Sequence, residues 1–437
     1  MESENLKHTE SGNVKRIEPV GTVNARVRLP GSKSVTHRAF LMAALADGDS
    51  TIGNPLRAED TLLTARALEQ LGVRIRWDDA GVSVTPPPRR WSRPGGPLLL
   101  GNSGTSTRLL LAVAAAGEGR FVFDGSARLR ERPMSPVLEA LERLGAGVRW
   151  LARPGCLPVE IQGCGLSGGE VEVDASESSQ FLSALLMAAP CARGEMRIGW
   201  KQPVASFPYV RLTLSMMKDA GITLFTSGEN GIVIPAPQTY SPLRMTVEGD
   251  FSSASYFWAA AAVTGGAVHT SPLSRKSAQG DRRLLDILEC MGCGVSWEEE
   301  GVRVTGAGAG NLNAVNVDMN DIPDMVPTLA VLAAFARGTT RIRNVAHLRV
   351  KESDRLRTVA LELAKLDVPV SELPDGLEIL GGEARPPRVP IESHNDHRIA
   401  MAFAVAGLRT GGMAIRGAAA VAKSFPAFWD ILDGLGR

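Results

Sequence analysis

The sequence predicts an α/β protein built from one supersecondary unit used six times, and three observations carry that prediction. Small-residue helical stretches that end in glycine and run into a strand recur at intervals of roughly 73 residues: LMAALADG, LLLAVAAAGEG, LSALLMAAPCARG, FWAAAAVTGG, LAVLAAFARG and MAFAVAGLRTGG. A period of this length is the mark of a repeated unit. A polar segment stands ahead of each stretch, in order GSKSVTHR, GNSGTSTR, DASESSQ, GDFSSAS, DMNDIPD and SHNDHR. A second helix-to-strand pattern alternates with the first, as in LLTARALEQLGVRIRW, VLEALERLGAGVRW, LTLSMMKDAGITLF and LLDILECMGCGVSW.

Along the chain, these companion copies space apolar residues by three and four, stop at glycine, and then alternate with period two, which reads as a helix followed by a strand. TVALELAKLDVPV is a weaker fifth copy with Asp367 at the stop, and FPAFWDILDGLG is a sixth. Further strands such as GVSVTP and GVRVTG follow in several units, and breaker-rich loops occupy 85–97, 305–311 and 381–390. Six units divide into two domains of three, in keeping with a 437-residue chain that is too long for one ordinary core. The break is expected between Pro242 and Asp250, giving 31–246 as one domain and 1–30 with 247–437 as the other. A stacked solenoid is the competing layout, but loops of such different chemistry suit closed domains better.

Hydrophobic residues make up 44% of the chain and charged residues 22%, a soluble globular profile. Net charge is +1, which argues against a surface built for nucleic acid or for an anionic membrane. The polar N-terminus has no apolar core of a signal peptide, and the apolar runs are too short to span a bilayer. Five irregularly spaced cysteines fit a reducing cytoplasm, and Cys290 with Cys293 reads as core cysteine at a helix end.

Polar segments ahead of helices offer unpaired backbone N–H groups and the positive end of the helix dipole to anions. LPGSKSVTHR places Lys33, Ser34 and Arg38 there, and GNSGTSTR places Asn102, Gly104, Thr105 and Arg108. RLRERPM offers Arg128, Arg130 and Arg132, whose forked guanidinium groups suit carboxylate or phosphate. DASESSQ supplies neutral donors Ser178, Ser179 and Gln180; DMNDIPD supplies Asp318, Asp321 and Asp324, the last a candidate general base. RVKESDRL sets Lys351 and Arg355 on one helical face around Glu352 and Asp354; SHNDHR brings Asp396, His397 and Arg398; Lys423 precedes the last helix. Each segment alone is explained as well by capping or by solvated charge. Eight cations at equivalent loop positions of a nearly neutral protein, however, suit small substrates carrying several phosphate and carboxylate groups.

In order, LPGSKSVTHR, GNSGT, RERPM, SSQFL, GDFSSASY, IPDM, RVKESDRL, NDHRIAM and AKSFP resemble motifs of the 5-enolpyruvylshikimate-3-phosphate (EPSP) synthase family, from about residue 17 to the end. The resemblance implies a two-domain inside-out α/β barrel, with three α/β units per domain about a pseudo-threefold axis, and domain closure over the substrates. It implies transfer of the enolpyruvyl group of phosphoenolpyruvate to the 5-hydroxyl of shikimate 3-phosphate, in the pathway to chorismate and aromatic amino acids, with no cofactor and no metal. Shikimate 3-phosphate would meet Lys33, Ser34, Arg38, Ser178, Ser179, Gln180, Ser206, Asp324, His347 and Lys351, with Tyr209 nearby. Phosphoenolpyruvate would meet Lys33, Asn102, Gly104, Arg132, Gln180, Arg355, Arg398 and Lys423, at a site where glyphosate competes in the family. Asp324 would act as base, Glu352 or Lys33 as proton donor, and His397 would orient its neighbours. The expected protein is a cytoplasmic monomer.

This sequence departs from the family pattern at His347, where asparagine is common, and at Phe207, Ser103 and Leu109. The nearest alternative is the enolpyruvyl transferase acting on UDP-N-acetylglucosamine, whose first motif begins GAKN and which carries a reactive loop cysteine. An RNA-end-processing enzyme of related fold is disfavoured by neutral charge and few aromatics, and a non-catalytic scaffold by polar segments at every helix start.

Overall fold

The computed structural model describes residues 13–88, 91, 94–307, 310–382 and 384–435. The opening twelve residues, expected to hold no signal peptide, and parts of the three breaker-rich loops lie outside the described residues. The chain divides into two compact units, one of Gly31–Glu248 and the other of the segments up to Pro30 and from Gly249 onward.

In the Gly31–Glu248 unit the helices are α1 (Lys33–Leu45), α2 (Glu59–Gln70), α3 (Gly104–Ala115), α4 (Ser135–Arg143), α5 (Gln180–Ala188) and α6 (Phe207–Asp219). Each of three sheets starts with a parallel pair and adds two antiparallel steps. Leu98–Leu99, Glu118–Asp124, Val159–Cys164 and Gly147–Trp150 form one. Gly169–Asp174, Met196–Lys201, Gly231–Ile234 and Phe225–Thr226 form the second, and Arg244–Thr246, Ser50–Gly53, Gly81–Thr85 and Arg74–Trp77 the third. A parallel pair needs a crossover, and α3 and α5 supply it in the first two sheets. Helices α1, α3 and α5 are buried on nearly all sides and, beyond the polar first turns of α1 and α3, apolar all round, whereas strands such as Met196–Lys201 alternate buried and exposed residues. A helix apolar all round must lie inside, and a half-polar sheet must face water, so the layers are helices within and sheets without.

The other unit repeats the plan with α7 (Phe251–Thr264), α8 (Leu284–Cys290), α9 (Val326–Ala334), α10 (Arg355–Ala364), α11 (His397–Thr410) and α12 (Phe428–Gly434). Here α7, α9 and α11 are the buried set. Among the described residues its third sheet has three strands, with Met413–Arg416 parallel to Ile391–Glu392 on one side and antiparallel to Val14–Ile17 on the other. Among the described residues no helix is long and apolar enough to cross a membrane.

Each unit completes a sheet with the strand that precedes the other unit's first helix. Asn24–Arg28 runs into α1 but pairs with Ala267–Ser271, and Arg244–Thr246 runs towards α7 but pairs with Ser50–Gly53. The chain therefore passes between units twice, at Pro30–Gly31 and at Glu248–Gly249. Val247 N donates to Gly53 O and Ser32 N to Glu248 O, which ties 247 and 248 to the Gly31–Glu248 unit, two residues beyond the boundary at 246 that the sequence suggested. A Cβ on Gly31 would stand 2.0 Å from Asn54 O, so only glycine fits at the first crossing.

The stops of the companion helices share one geometry. Gly72, Gly145, Gly221 and Gly292 take φ between 86° and 96°, and the weaker copy places Asp367 at φ 58°. Aspartate is among the few residues that tolerate this region, so the weaker copy keeps the stop.

Candidate active site

In the Gly31–Glu248 unit, hydrogen bonds tie the starts of α1, α3 and α5 together. Lys33 is the first residue of α1, and its ammonium lies 3.5 Å from Asp60, a buried carboxylate at the start of α2. Arg108, on α3 and buried, donates through Nη1 to Ser178 Oγ at 3.2 Å and to Gln180 Oε1 at 2.9 Å, and through Nη2 to Pro133 O. Its guanidinium lies over the Phe181 ring at 4.7 Å. Gln180 Nε2 donates in turn to Thr105 Oγ1 at 2.9 Å. The Arg132 guanidinium lies against Gly104, where a Cβ would come within 2.7 Å of its Cζ. Glycine at the first position of α3 is thus what admits this cation to the helix start.

Arg38 is more deeply engaged than the sequence suggests. Its Nε donates to Thr213 Oγ1 at 2.7 Å, Nη1 to Ser34 O, and Nη2 to Ser183 Oγ and Tyr209 O. Burial pulls its pKa down to about 10, with Tyr209 opposing. Four of five N–H groups are thereby committed to protein atoms, so Arg38 mainly braces Ser34 and the α6 start. Ser206, just before α6, is held at φ 57°, a left-handed conformation that costs a non-glycine residue about 1–3 kcal/mol.

In the other unit, Asp324 is the meeting point. Its Oδ1 accepts from Arg355 Nη1 at 2.8 Å and its Oδ2 from Arg398 Nη2 at 2.7 Å. Arg355 also donates to Asp396 twice, at 2.7 and 3.2 Å, and to Glu352 Oε2 at 2.9 Å. Burial opposes the Arg355 charge, but Asp396, Glu352 and Asp324 outweigh it and move its pKa up. Arg398 also approaches the Tyr256 hydroxyl at 3.5 Å; burial raises that phenol to about 12, with Arg398 opposing. His347 is buried, and burial lowers its pKa to about 3, helped by Lys351 and opposed by Asp324. It is therefore a neutral imidazole at physiological pH, and its Nε2 has no hydrogen-bond partner among the described residues.

Several expectations change at the level of the side chain. Arg128 and Arg130 pair with Glu131 and Asp124 at the surface, leaving Arg132 as the one arginine of RLRERPM that turns to Gly104. Asp318 holds Asn320 and Asn344, and Asp321 lies by Arg283, leaving Asp324 as the acid of its segment that joins the arginines. Lys351 and Arg355 do not share a helical face. Asp354 caps α10 by accepting from Arg357 N, so the helix begins at Arg355 and Lys351 stands in a bend. Asp396 turns to Arg355 and Ser353, while His397 Nδ1 stays 3.6 Å from it, buried at the start of α11. Lys423 is buried at the end of a short 3-10 turn. Cys293 is buried as expected, whereas Cys290 is exposed.

Asp60 was not singled out from sequence, and Arg108 was counted as a cation without a role. Both act through long-range partners, 27 residues away for Lys33–Asp60 and 72 for Arg108–Gln180, so no local pattern marks them.

Cations set at helix starts, neutral hydroxyl and amide donors, and a carboxylate between two arginines define an α/β protein equipped to bind small polyanions and to move a proton. The profile of the family described as EPSP synthase (3-phosphoshikimate 1-carboxyvinyltransferase) matches residues 17–432. A 3-phosphoshikimate 1-carboxyvinyltransferase from Syntrophobacter fumaroxidans is 60% identical over 421 residues, spanning 96% of this chain and 99% of the relative. One from Nostoc punctiforme is 42% identical, spanning 93% and 95%. The solved structure of EPSP synthase from Acinetobacter baumannii matches with a TM-score of 0.80 at 30% identity, spanning 97% of this chain and 98% of its own. The chain belongs to the EPSP synthase family.

Proposed function

We propose that this protein transfers the enolpyruvyl group of phosphoenolpyruvate to the 5-hydroxyl of shikimate 3-phosphate, releasing phosphate, as a step towards chorismate and aromatic amino acids. Asp324 carries the reading. A carboxylate whose two oxygens are held by Arg355 and Arg398 is oriented to take a proton from a substrate hydroxyl, in a setting where those arginines attract anions.

A proton adds to the methylene carbon of phosphoenolpyruvate and positive charge develops at its second carbon. The 5-hydroxyl oxygen bonds there as Asp324 takes the hydroxyl proton, giving a tetrahedral adduct. A methyl proton then returns to the group that supplied the first one as the carbon–oxygen bond to phosphate breaks, and the proton on Asp324 leaves with the phosphate, which gives the enol ether of the product. The sequence of steps balances without a cofactor. Either Lys33 or Glu352, the latter paired with Arg355 Nη2 at 2.9 Å, supplies the proton that adds to the methylene carbon. Lys33, Ser34, Ser178, Ser179, Gln180, Ser206, His347 and Lys351 serve shikimate 3-phosphate, with Arg38 bracing Ser34. Asn102, Gly104, Arg132, Arg355, Arg398 and Lys423 serve phosphoenolpyruvate together with Lys33 and Gln180. Glyphosate binding at the phosphoenolpyruvate site, a monomeric state and a cytoplasmic location belong to the same reading.

The relatives' names and the GSKS first motif favour this acceptor over UDP-N-acetylglucosamine. Phosphate release with each substrate omitted in turn tests it. Release should require both phosphoenolpyruvate and shikimate 3-phosphate; release that ignores the latter, or needs a UDP-sugar, overturns it. Asp324→Asn, which keeps the side-chain shape between the two arginines, should lower kcat by at least about a hundredfold.

A further inference from the structure

Glu362 lies on α10, two turns beyond Arg355, and its side chain is only 1% exposed. A carboxylate so deeply buried must be fully satisfied, and this one is. Its Oε1 accepts from His394 Nε2 at 2.9 Å; its Oε2 accepts from Lys365 Nζ at 2.7 Å and from Glu392 N at 3.0 Å. An ionised carboxylate only accepts, so His394 Nε2 carries a proton. Lys365 reaches on to Pro390 O at 3.1 Å. Glu362 on α10 and Lys365 just past its end thus grip the segment 390–394 at three places, and Arg355 at the start of α10 grips the chain again at Asp396.

Between those two grips the backbone is strained. His394 and Asn395 take φ of 51° and 55°, a region that non-glycine residues occupy at a cost. Directly after them Asp396 caps α11, accepting from Arg398 N at 3.0 Å, and Arg398 meets Asp324. The buried carboxylate therefore opposes relaxation of the turn that sets Arg398.

We propose that Glu362 is a positioning residue for the reaction: through His394 and the Glu392 amide it holds the 391–396 turn in register, so that Asp396 engages Arg355 and Arg398 is presented to the carboxylate or phosphate of phosphoenolpyruvate. This assignment rests on the enolpyruvyl-transfer reading given above. A role confined to stability would lower the unfolding midpoint and leave the kinetic constants of the folded enzyme alone. A positioning role moves the KM for phosphoenolpyruvate and spares that for shikimate 3-phosphate.

The test measures both KM values, kcat and the thermal midpoint for wild type, Glu362→Ala, Glu362→Gln, His394→Gly and the double variant Glu362→Ala/His394→Gly. Glu362→Ala should raise the KM for phosphoenolpyruvate about tenfold, as expected for a sub-ångström shift of a binding cation. Glu362→Gln, which keeps an acceptor for Glu392 N, should recover most of that loss. His394→Gly relieves the backbone strain yet removes the ring from Glu362, so its KM for phosphoenolpyruvate should rise while its thermal midpoint falls less than that of Glu362→Ala. The double variant should be no worse than Glu362→Ala. Unchanged KM in folded Glu362→Ala overturns the proposal. Should that variant fail to fold, unchanged KM in His394→Gly overturns it. Wild type that releases no phosphate with both substrates present defeats the enolpyruvyl-transfer reading itself, before any variant is compared.

Discussion

Arg355 and Asp396 form a two-pronged pair, Nε to Oδ2 at 2.7 Å and Nη2 to Oδ1 at 3.2 Å, with both side chains shut away from solvent. The same aspartate caps α11 and so links the start of α10 to the start of α11. Arg355 adds Asp324 and Glu352, so one planar cation organises three carboxylates. An ammonium group has neither the planarity nor the spread of donors to do so.

Arg355→Lys is therefore expected to behave as a drastic change. It keeps the charge but breaks the fork, leaving buried carboxylates short of donors, at a cost of about 3–5 kcal/mol in stability. Urea unfolding should register that loss, and phosphate release should fall by at least about a hundredfold. A variant with wild-type urea midpoint and turnover would remove Arg355 from this organising role.

Gly104→Ala places a methyl group 2.7 Å from Arg132 Cζ. The clash is with the mobile end of a side chain, so the guanidinium should move and the fold should survive. The expected outcome is a rise of about tenfold in the KM for phosphoenolpyruvate. The circular dichroism spectrum should be unchanged. Arg132→Lys should reproduce the kinetic defect, and Gly104→Ala in an Arg132→Ala background should add little.

Two buried groups of the same unit should bend the stability curve in opposite directions. His347 has its ordinary value near 6.5 lowered to about 3, so between those values the unfolded chain binds the extra proton. Its contribution is complete above pH 6.5 and is lost as the pH falls towards 3. Asp281, whose carboxyl accepts from Ser252, is raised by burial from 3.8 to about 6, with Asp324 adding to the rise and Arg398 opposing it. There the folded chain keeps the proton longer, so stability falls as pH rises from 3.8 to 6 and stays reduced above that. Each pKa unit is worth about 1.4 kcal/mol, so either effect is on the order of a few kcal/mol. Urea midpoints across pH 4–8 should show His347→Asn losing less stability than wild type on acidification. Asp281→Asn should gain most above about pH 6.

Much of the architecture was legible because it depends on local pattern. Glycine stops, helical spacing and polar helix starts are set by neighbours in the chain, and even Asp367 in place of glycine kept the left-handed stop. Legibility failed where a short polar stretch had two local options. RVKESDRL could continue as helix or bend, and the cap formed by Asp354 decided for the bend. It failed again for Asp60, Arg108 and Glu362, because burial and partners distant in sequence give those residues their roles.

The sequence by itself determined the repeat, its six polar helix starts, and a set of side chains whose order matches one family of enolpyruvyl transferases. Periodicity and residue chemistry act within a few residues and survive in the linear text. Only the tertiary structure decided which cations are spent on structure and which meet a carboxylate, as Arg38 is absorbed by Thr213, Ser183 and Tyr209 while Arg398 reaches Asp324. It also decided that Asn24–Arg28 completes the sheet of Ala267–Ser271, and Arg244–Thr246 that of Ser50–Gly53, each within its own unit although far away in sequence. The physical reason is the same in both cases: hydrogen-bond satisfaction and burial are settled by distance in space, to which spacing along the chain is a poor guide.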